Sequence, residues 1–451
     1  MFMSYLTFYL MNTEVPGVRP QTVKHDENSG GIVILDLGSQ YTQLLARRIR
    51  ELEVYSEILP WNADMREIMK KNPRGVILSG GSRSTTGPDA TNIDESMPRG
   101  KIPVLDIRYG MEADATEQGR EILSNFLFGA CGCEPNWKLD DWVNRSLKSI
   151  KETVGPDEQV ICGISGGVDS TVSATLVSKV IGDRLGCIFV DHGFMRKDEP
   201  RQVADAYREL NLRVTHVDAS ERFLEAIKGV TNPEKKRKII GELFVRVFEE
   251  EARKFGGAKW LLQGTIYPDV IESGQAGGDV IKSHHNVGGL PEDMKMSLLE
   301  PIRELLKDEV RRIGPLLGIP EDLLKRHPFP GPGLAVRCLG EITRERLDTL
   351  RDADSIFISE IKDAGLYDEI WQAFCVLLPV RSVGMAGDAR TYDETVVLRA
   401  VASRDAMTAE SVCLPWGLVD KVTKRICSEV PKVGRVVMDV TGKPPGTIEW
   451  E

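Results

Sequence analysis

Ser165-Gly166-Gly167-Val168-Asp169-Ser170 stands between an apolar run at 159–164 and a helix-like stretch at 169–181. A strand ending in Ser-Gly-Gly lets the backbone pass close to an anion, because glycine has no Cβ and tolerates the dihedrals of a tight turn. The helix that follows aims its unpaired N–H groups and the positive end of its dipole at the same point. The unit is therefore strand–loop–helix, part of an α/β sheet, and it reads as a phosphate cradle. A plain glycine turn opening a helix would call for the two glycines but not for Ser165, Asp169 and Ser170 as well. No Gly-x-x-x-x-Gly-Lys-Ser/Thr string occurs in the 451 residues, which excludes the loop of a kinase or GTPase.

The six-residue string resembles the pyrophosphate-binding loop of the N-type ATP pyrophosphatases. That resemblance implies cleavage of ATP between its α and β phosphates, transfer of AMP to a substrate oxygen, and pyrophosphate held in the loop with magnesium. The residue types suit the task. Ser165 and Ser170 can donate hydroxyl hydrogen bonds, and the backbone from Gly166 through Val168 offers N–H groups. Asp169 places a carboxylate beside an anion, which is unfavourable unless a cation lies between them, and Mg²⁺ is the expected cation.

The length of 451 residues suggests about three domains. A formal charge of −10 argues against non-specific nucleic-acid binding, which needs a cationic surface. Eight scattered cysteines fit neither a disulfide framework nor paired zinc knuckles. Cys131-Gly132-Cys133 is too tight for the usual zinc spacing, so reduced thiols in the cytoplasm are expected. No apolar run approaches the roughly 18 residues of a membrane span. Residues 1–29, apolar-aromatic at the start and without a signal-peptide pattern, read as a disordered extension.

Three regions follow. Residues 30–133 alternate strands (32–35, 75–78, 103–105) with helices (40–52, 117–128), a parallel α/β pattern. Residues 134–328 repeat the alternation, with strands at 160–164, 185–190, 213–217 and 260–262. That spacing fits a doubly wound sheet, whose ligands sit at the carboxyl ends of the strands. Residues 329–451 open with Pro330-Gly331-Pro332-Gly333, a rigid turn. They then mix strand-like runs (395–401, 435–440) with a helix at 418–430, an α+β pattern. The expected fold class is α/β, a doubly wound domain between a shorter α/β domain and an α+β domain.

Four longer strings carry a closer resemblance: Gln263-Gly264-Thr265-Ile266-Tyr267-Pro268-Asp269-Val270-Ile271-Glu272-Ser273, Ile281-Lys282-Ser283-His284-His285-Asn286-Val287-Gly288-Gly289, His327-Pro328-Phe329-Pro330-Gly331-Pro332-Gly333-Leu334, and Lys443-Pro444-Pro445-Gly446-Thr447-Ile448-Glu449-Trp450-Glu451. In this order they resemble the GMP synthetase family over residues 133–451. The resemblance implies the reaction XMP + ATP + ammonia → GMP + AMP + pyrophosphate through an adenylyl-XMP intermediate, which demands positioning and electrostatics rather than covalent catalysis. It implies that Asp269 and Glu272 lie beside metal and ATP, Asp269 joining Asp169 on Mg²⁺. Lys282, His284 and His285 would belong to a lid that brings charge to the α-phosphate on closing. XMP contacts would come from Arg196, Gly331, Pro332, Gly333, Gln372, Asp388, Arg435, Lys443, Ile448 and Glu449. Arg and Lys suit its phosphate, and Glu suits the purine N–H edge. A homodimer built on the third region is implied as well. Without the resemblance, a lone Arg or Lys would read as a solvated charge.

Residues 31–133 resemble a class I glutamine amidotransferase through Asp36-Leu37-Gly38-Ser39-Gln40-Tyr41-Thr42-Gln43, Ile77-Leu78-Ser79-Gly80-Gly81 and the stretch 116–128. The family's nucleophile stands in Gly-Ile-Cys-Tyr-Gly; here the string is Asp106-Ile107-Arg108-Tyr109-Gly110. A guanidinium stays protonated and is no nucleophile. The stretch also contains no His, so both thiol and base are missing. The domain is expected to be truncated and poorly packed, with apolar surface exposed. Ammonia would then arrive free or from a separate glutaminase subunit. Two rival readings share the phosphate loop: another amidoligase such as ammonia-dependent NAD synthetase, and an inactive nucleotide-binding relic.

Overall fold

The computed structural model describes residues 30–39, 41–80, 102–107, 117–272, 296–386, 388–403, 406 and 408–451. The expected extension, 1–29, lies outside them. Three sheets organise the described residues. In the first, β1 (Ile32–Asp36), β2 (Ser56–Pro60), β3 (Gly75–Ser79) and β4 (Val104–Ile107) run parallel in the order β2-β1-β3-β4. Alternate residues feed two cores. Ile32, Ile34 and Ile77 pack with Leu45, Ile49 and Leu127 on one face, and Val33, Leu35, Val76 and Leu78 pack with Leu59 and Ile68 on the other. The expectation of a poorly packed domain is therefore corrected for β1 to β3 among the described residues, while β4 has no buried residue and Tyr41, Met69 and Phe128 leave apolar surface exposed. Helices cover both faces of β1 and β3, which is why these strands read as continuous apolar runs.

The second sheet is also parallel: β5 (Val160–Ile164), β6 (Leu185–Asp191), β7 (Val214–Asp218), β8 (Trp260–Leu262) and β9 (Ser297–Leu299), in the order β7-β6-β5-β8-β9. After β5 the chain winds one way to β6 and β7, then returns to the other side at β8. The switch point lies at the carboxyl end of β5, where such sheets bind ligands. Helix Val168–Ile181 leaves this point buried on nearly every side.

In the third region β10 (Gln372–Ala386) and β11 (Ala389–Ala402) form a long antiparallel hairpin, with β12 (Glu410–Ser411) and the parallel β13 (Val433–Asp439) beside β11. Helices Arg344–Asp363 and Trp416–Glu429 bury Leu350, Phe357, Val422 and Ile426 against Cys375, Leu377, Leu398 and Ala400. The same core continues to Ile161, Ile188 and Leu261 of the second sheet.

The first domain is held to the second by a buried clamp. Arg50 Nη1 donates to Glu304 O at 2.7 Å and to the Glu309 carboxylate at 2.8 Å, while Nη2 donates to Ser56 O at 2.8 Å. Its guanidinium lies 4.9–5.2 Å from the ring centres of Tyr55, Trp137 and Tyr267. The Tyr267 hydroxyl reaches the backbone of Ile58. No helix among the described residues is long and apolar enough to cross a membrane.

Candidate active site

β5 ends at Ile164, and the chain turns through Gly166 at φ +76°, where an added Cβ would lie 2.8 Å from Val203. The turn is buttressed: Tyr207 Oη accepts the Gly166 N–H at 3.1 Å and lies 3.0 Å from Thr171 Oγ1, which donates to Gly167 O at 2.8 Å. Burial pushes the Tyr207 phenol up to about 12, so it stays protonated as a fixed strut. Ser165 and Ser170 Oγ converge to 3.5 Å. Helix Val168–Ile181 has no side-chain N-cap, which leaves its first-turn N–H groups for an anion.

Asp169, in that first turn, is paired with Lys307 Nζ at 2.6 and 2.7 Å. Lys307 opens helix Lys307–Ile313, which also carries Glu309 of the clamp. The argument that Asp169 requires a metal is corrected here, because Lys307 already supplies a cation. Gly264 packs so closely that an added Cβ would lie 3.1 Å from the Asp169 carbonyl, so the segment after β8 abuts the cradle. In helix Tyr267–Glu272, Asp269 Oδ2 accepts the Ile266 N–H at 3.1 Å, half of a capping box. Glu272 ends that helix. Among the described residues no three His, Cys, Asp or Glu side chains converge as a metal site. The donor chemistry nonetheless suits Mg²⁺, which takes one or two carboxylates and completes its shell with phosphate and water. Lys282, His284, His285 and Arg108 lie outside the described residues.

A second cluster forms at the end of β6. Arg196 donates to Ala373 O at 3.1 Å, lies 3.2 Å from Asp354, and stacks 5.3 Å from the Phe329 ring centre. The turn Pro330-Gly331-Pro332-Gly333 is pinned by the Leu334 N–H donating to Phe194 O at 2.7 Å. Gly333 sits at φ +61°, and a Cβ there would come within 2.2 Å of that same oxygen. The Glu449 carboxylate receives two bonds from Arg337, at 2.7 and 2.9 Å, and one from Gln372 Nε2 at 3.0 Å. Arg337 Nη1 is buried and has no hydrogen-bond partner among the described residues, which makes it a spare donor beside the carboxylate.

The structure thus brings together Arg196, Gly331, Pro332, Gly333, Gln372 and Glu449. Ile448 packs in an apolar cluster with Phe374, Val397 and Val401, and Lys443 Nζ donates to Ala406 O at 2.8 Å. Arg435 lies on the exposed side of β13, donating to Ser382 Oγ at 3.3 Å. Asp388 sits at the hairpin tip, roughly 45 Å along β10 from Gln372 at about 3.3 Å per residue. Asp388 is therefore outside the cluster of a single copy. Sequence reasoning missed Lys307, Tyr207 and Arg337. Only Arg337 left a signal, a charge inside Leu334-Ala335-Val336-Arg337-Cys338-Leu339.

Two histidines brace these clusters. His192 Nδ1 accepts the Phe194 N–H at 3.0 Å, and burial, helped by Arg351, lowers its pKa to about 3. His327 stacks on Tyr367 at 3.9 Å, its Nδ1 accepts the Ala373 N–H at 3.2 Å, and burial, with Arg196 contributing, lowers it to about 4. Unfolded, each takes a proton near pH 6.5, so protons favour the unfolded chain. The stability these residues contribute is complete above about pH 6.5 and is lost towards pH 4, at roughly 1.4 kcal/mol per histidine per pH unit. Urea midpoints should fall from pH 7 to pH 5, and His192→Asn should flatten the slope; equal slopes would remove His192 from the account.

A Ser-Gly-Gly cradle at the switch point of a doubly wound sheet, with a helix carrying Asp269 and a cluster built on Arg196 and Arg337, defines an ATP pyrophosphatase domain. Family comparisons agree. Residues 140–246 match the NAD synthase family model, 33–161 the class-I glutamine amidotransferase model, and 359–450 the GMP synthase C terminal domain. The chain is 48% identical to GMP synthase [glutamine-hydrolyzing] of Symbiobacterium thermophilum, over 93% of this chain and 99% of that one. It is 46% identical, with the same coverage, to the proteins of that name in Carboxydothermus hydrogenoformans and Aquifex aeolicus. The chain belongs to the glutamine-hydrolysing GMP synthase family, a family of carbon–nitrogen ligases. The first alignment spans 507 positions against 451 residues, so that relative carries residues with no counterpart here.

Proposed function

We propose that the chain makes GMP from XMP, Mg-ATP and ammonia in the cytoplasm, without hydrolysing glutamine itself. The observation that carries this is the segment joining the two clusters. Arg326 bonds Glu199 at 2.6 Å beside the Gly166 carbonyl, and three residues on, Phe329 lies under both Arg196 and Arg337. One short stretch therefore links the phosphate cradle to the Arg196–Arg337 cluster, which supports reading that cluster as the seat of a second nucleotide.

In the first step the oxygen on C2 of XMP attacks the α-phosphorus of ATP. The bond to the α–β bridging oxygen breaks, and its electron pair leaves with pyrophosphate. Ser165, Ser170 and the first-turn N–H groups hold that leaving group, and Lys307 offsets its charge. Mg²⁺, held by Asp169 and Asp269, would supply further neutralisation when bound. In the second step ammonia attacks C2, the C2–O bond breaks towards AMP, and a proton passes to solvent. Glu449 reads the purine edge, with Arg196 and Gln372 flanking it; Lys282, His284 and His285, outside the described residues, are the proposed source of charge for the α-phosphate.

Arg108 at the nucleophile position and the absence of His from 31–133 support loss of glutaminase chemistry, leaving free ammonia or a separate glutaminase subunit as the source. Val380, Val383, Met385 and Tyr392, all exposed on the outer half of the β10–β11 hairpin, support a homodimer. Purified protein with Mg-ATP and XMP should yield GMP and AMP with ammonium and none with glutamine, and should sediment as a dimer. GMP from glutamine would refute the glutaminase reading. No GMP from either donor would favour a relic or another amidoligase.

A further inference from the structure

Each residue from 447 to 451 is tied down separately. Arg399, fully buried, donates to Thr447 O at 3.1 Å; Ile448 is packed in apolar surroundings; Arg337 holds Glu449; and Trp450 Nε1 donates to Asp439 at 2.9 Å. Glu451 is caught from another domain. Lys236, on helix Pro233–Lys254, is fully buried, and its ammonium donates to the Glu451 carboxylate at 2.5 Å, Cys338 O at 3.0 Å and Ala335 O at 3.3 Å. Arg237 adds a bond to the Glu451 carbonyl.

We infer that Lys236 is a positioning residue for the acceptor nucleotide, acting through Glu451 to fix Glu449. The inference rests on the reading of Glu449 as the group that meets the purine of XMP. Three acceptors saturate the Lys236 ammonium, and two of them, Ala335 and Cys338, flank Arg337 in sequence. One buried cation thus fixes both the arginine that orients Glu449 and the segment that carries it. A buried ammonium that loses its carboxylate is strongly disfavoured, so the segment has one seat. None of the hydrogen bonds made by Lys236 and Glu451 among the described residues reaches residues 165–170, so loss of the contact should fall on XMP and spare ATP.

The test uses the full chain, with Lys236→Met and the milder Glu451→Gln. Steady-state assays with ammonium should give a KM for XMP raised at least tenfold and a KM for ATP changed less than twofold. The double variant should lose no more than the worse single one, because both break a single contact. Hydrogen exchange of the peptide spanning 440–451 should rise in both variants, and this readout needs no turnover. An unchanged KM for XMP in variants whose peptide exchanges faster would overturn the positioning role. Unchanged exchange would overturn the latch. Absence of GMP from the unaltered protein would instead strike the functional reading and leave the exchange test standing.

Discussion

Asp169→Asn should lower the rate of GMP formation by on the order of a hundredfold or more, and should raise the magnesium concentration needed for half-maximal rate. Asp169 stands in the first turn of helix Val168–Ile181, beside the loop that would hold the leaving pyrophosphate. Its present partner, Lys307, has a side chain 38% exposed, and ion pairs with that much solvent contribute at most about 1 kcal/mol. Folding should therefore hardly notice the substitution, and the loss should appear in turnover. Lys307→Met separates the two jobs of the pair. If Lys307 only neutralises Asp169, the variant should bind magnesium more tightly; if it also balances charge on the phosphates, its rate should fall too. An Asp169→Asn enzyme with unaltered rate and magnesium dependence would remove Asp169 from the site.

What could be read from the sequence was what is local. β5 and β8 were legible residue for residue, and β6 to within a residue, because strands covered on both faces are continuous apolar runs, while the half-exposed edge strand β7 was placed to within a residue at its ends. The cradle was legible because its donors are six consecutive residues. β2 and β9 were missed, since Ser-Glu-Ile-Leu-Pro and Ser-Leu-Leu are too short and too mixed to show a period. β10 was missed whole, although its inner run 373–378 is apolar, and β11 was missed in its outer half for another reason. Arg381, Ser382, Gly384, Arg390 and Asp393 pair along a hairpin that buries neither face there, so no apolar pattern marks it. The deeper loss concerns partners. Lys307 meets Asp169 across 138 positions, and Lys236 meets Glu451 across 215. Lys236 lies in Pro-Glu-Lys-Lys-Arg-Lys, which reads as a solvated helix face, yet it is the one lysine of that run facing the core.

Arg50→Ala should lower the unfolding free energy by about 3–5 kcal/mol, the cost of leaving a buried charge without its partner. Arg50 and Glu309 are both 2% exposed at the side chain, and the substitution strands Glu309 among Trp137 and the Leu306 backbone. Replacing both partners by Met should recover much of the loss, since no uncompensated charge remains. Stability is only half of the expectation. Glu309 shares helix Lys307–Ile313 with Lys307, and Tyr267 shares helix Tyr267–Glu272 with Asp269, so both acidic groups proposed to hold magnesium stand one step from the clamp. A domain with Arg108 at the nucleophile position and no His in 31–133 would still be retained if it sets the spacing of these two helices. Ammonium-dependent turnover in Arg50→Ala should accordingly fall at temperatures where the protein remains folded, and the double Met variant should be stable yet still slow. Urea melts and initial rates at one temperature read both. Wild-type turnover in the stable double variant would reduce the clamp to glue between domains.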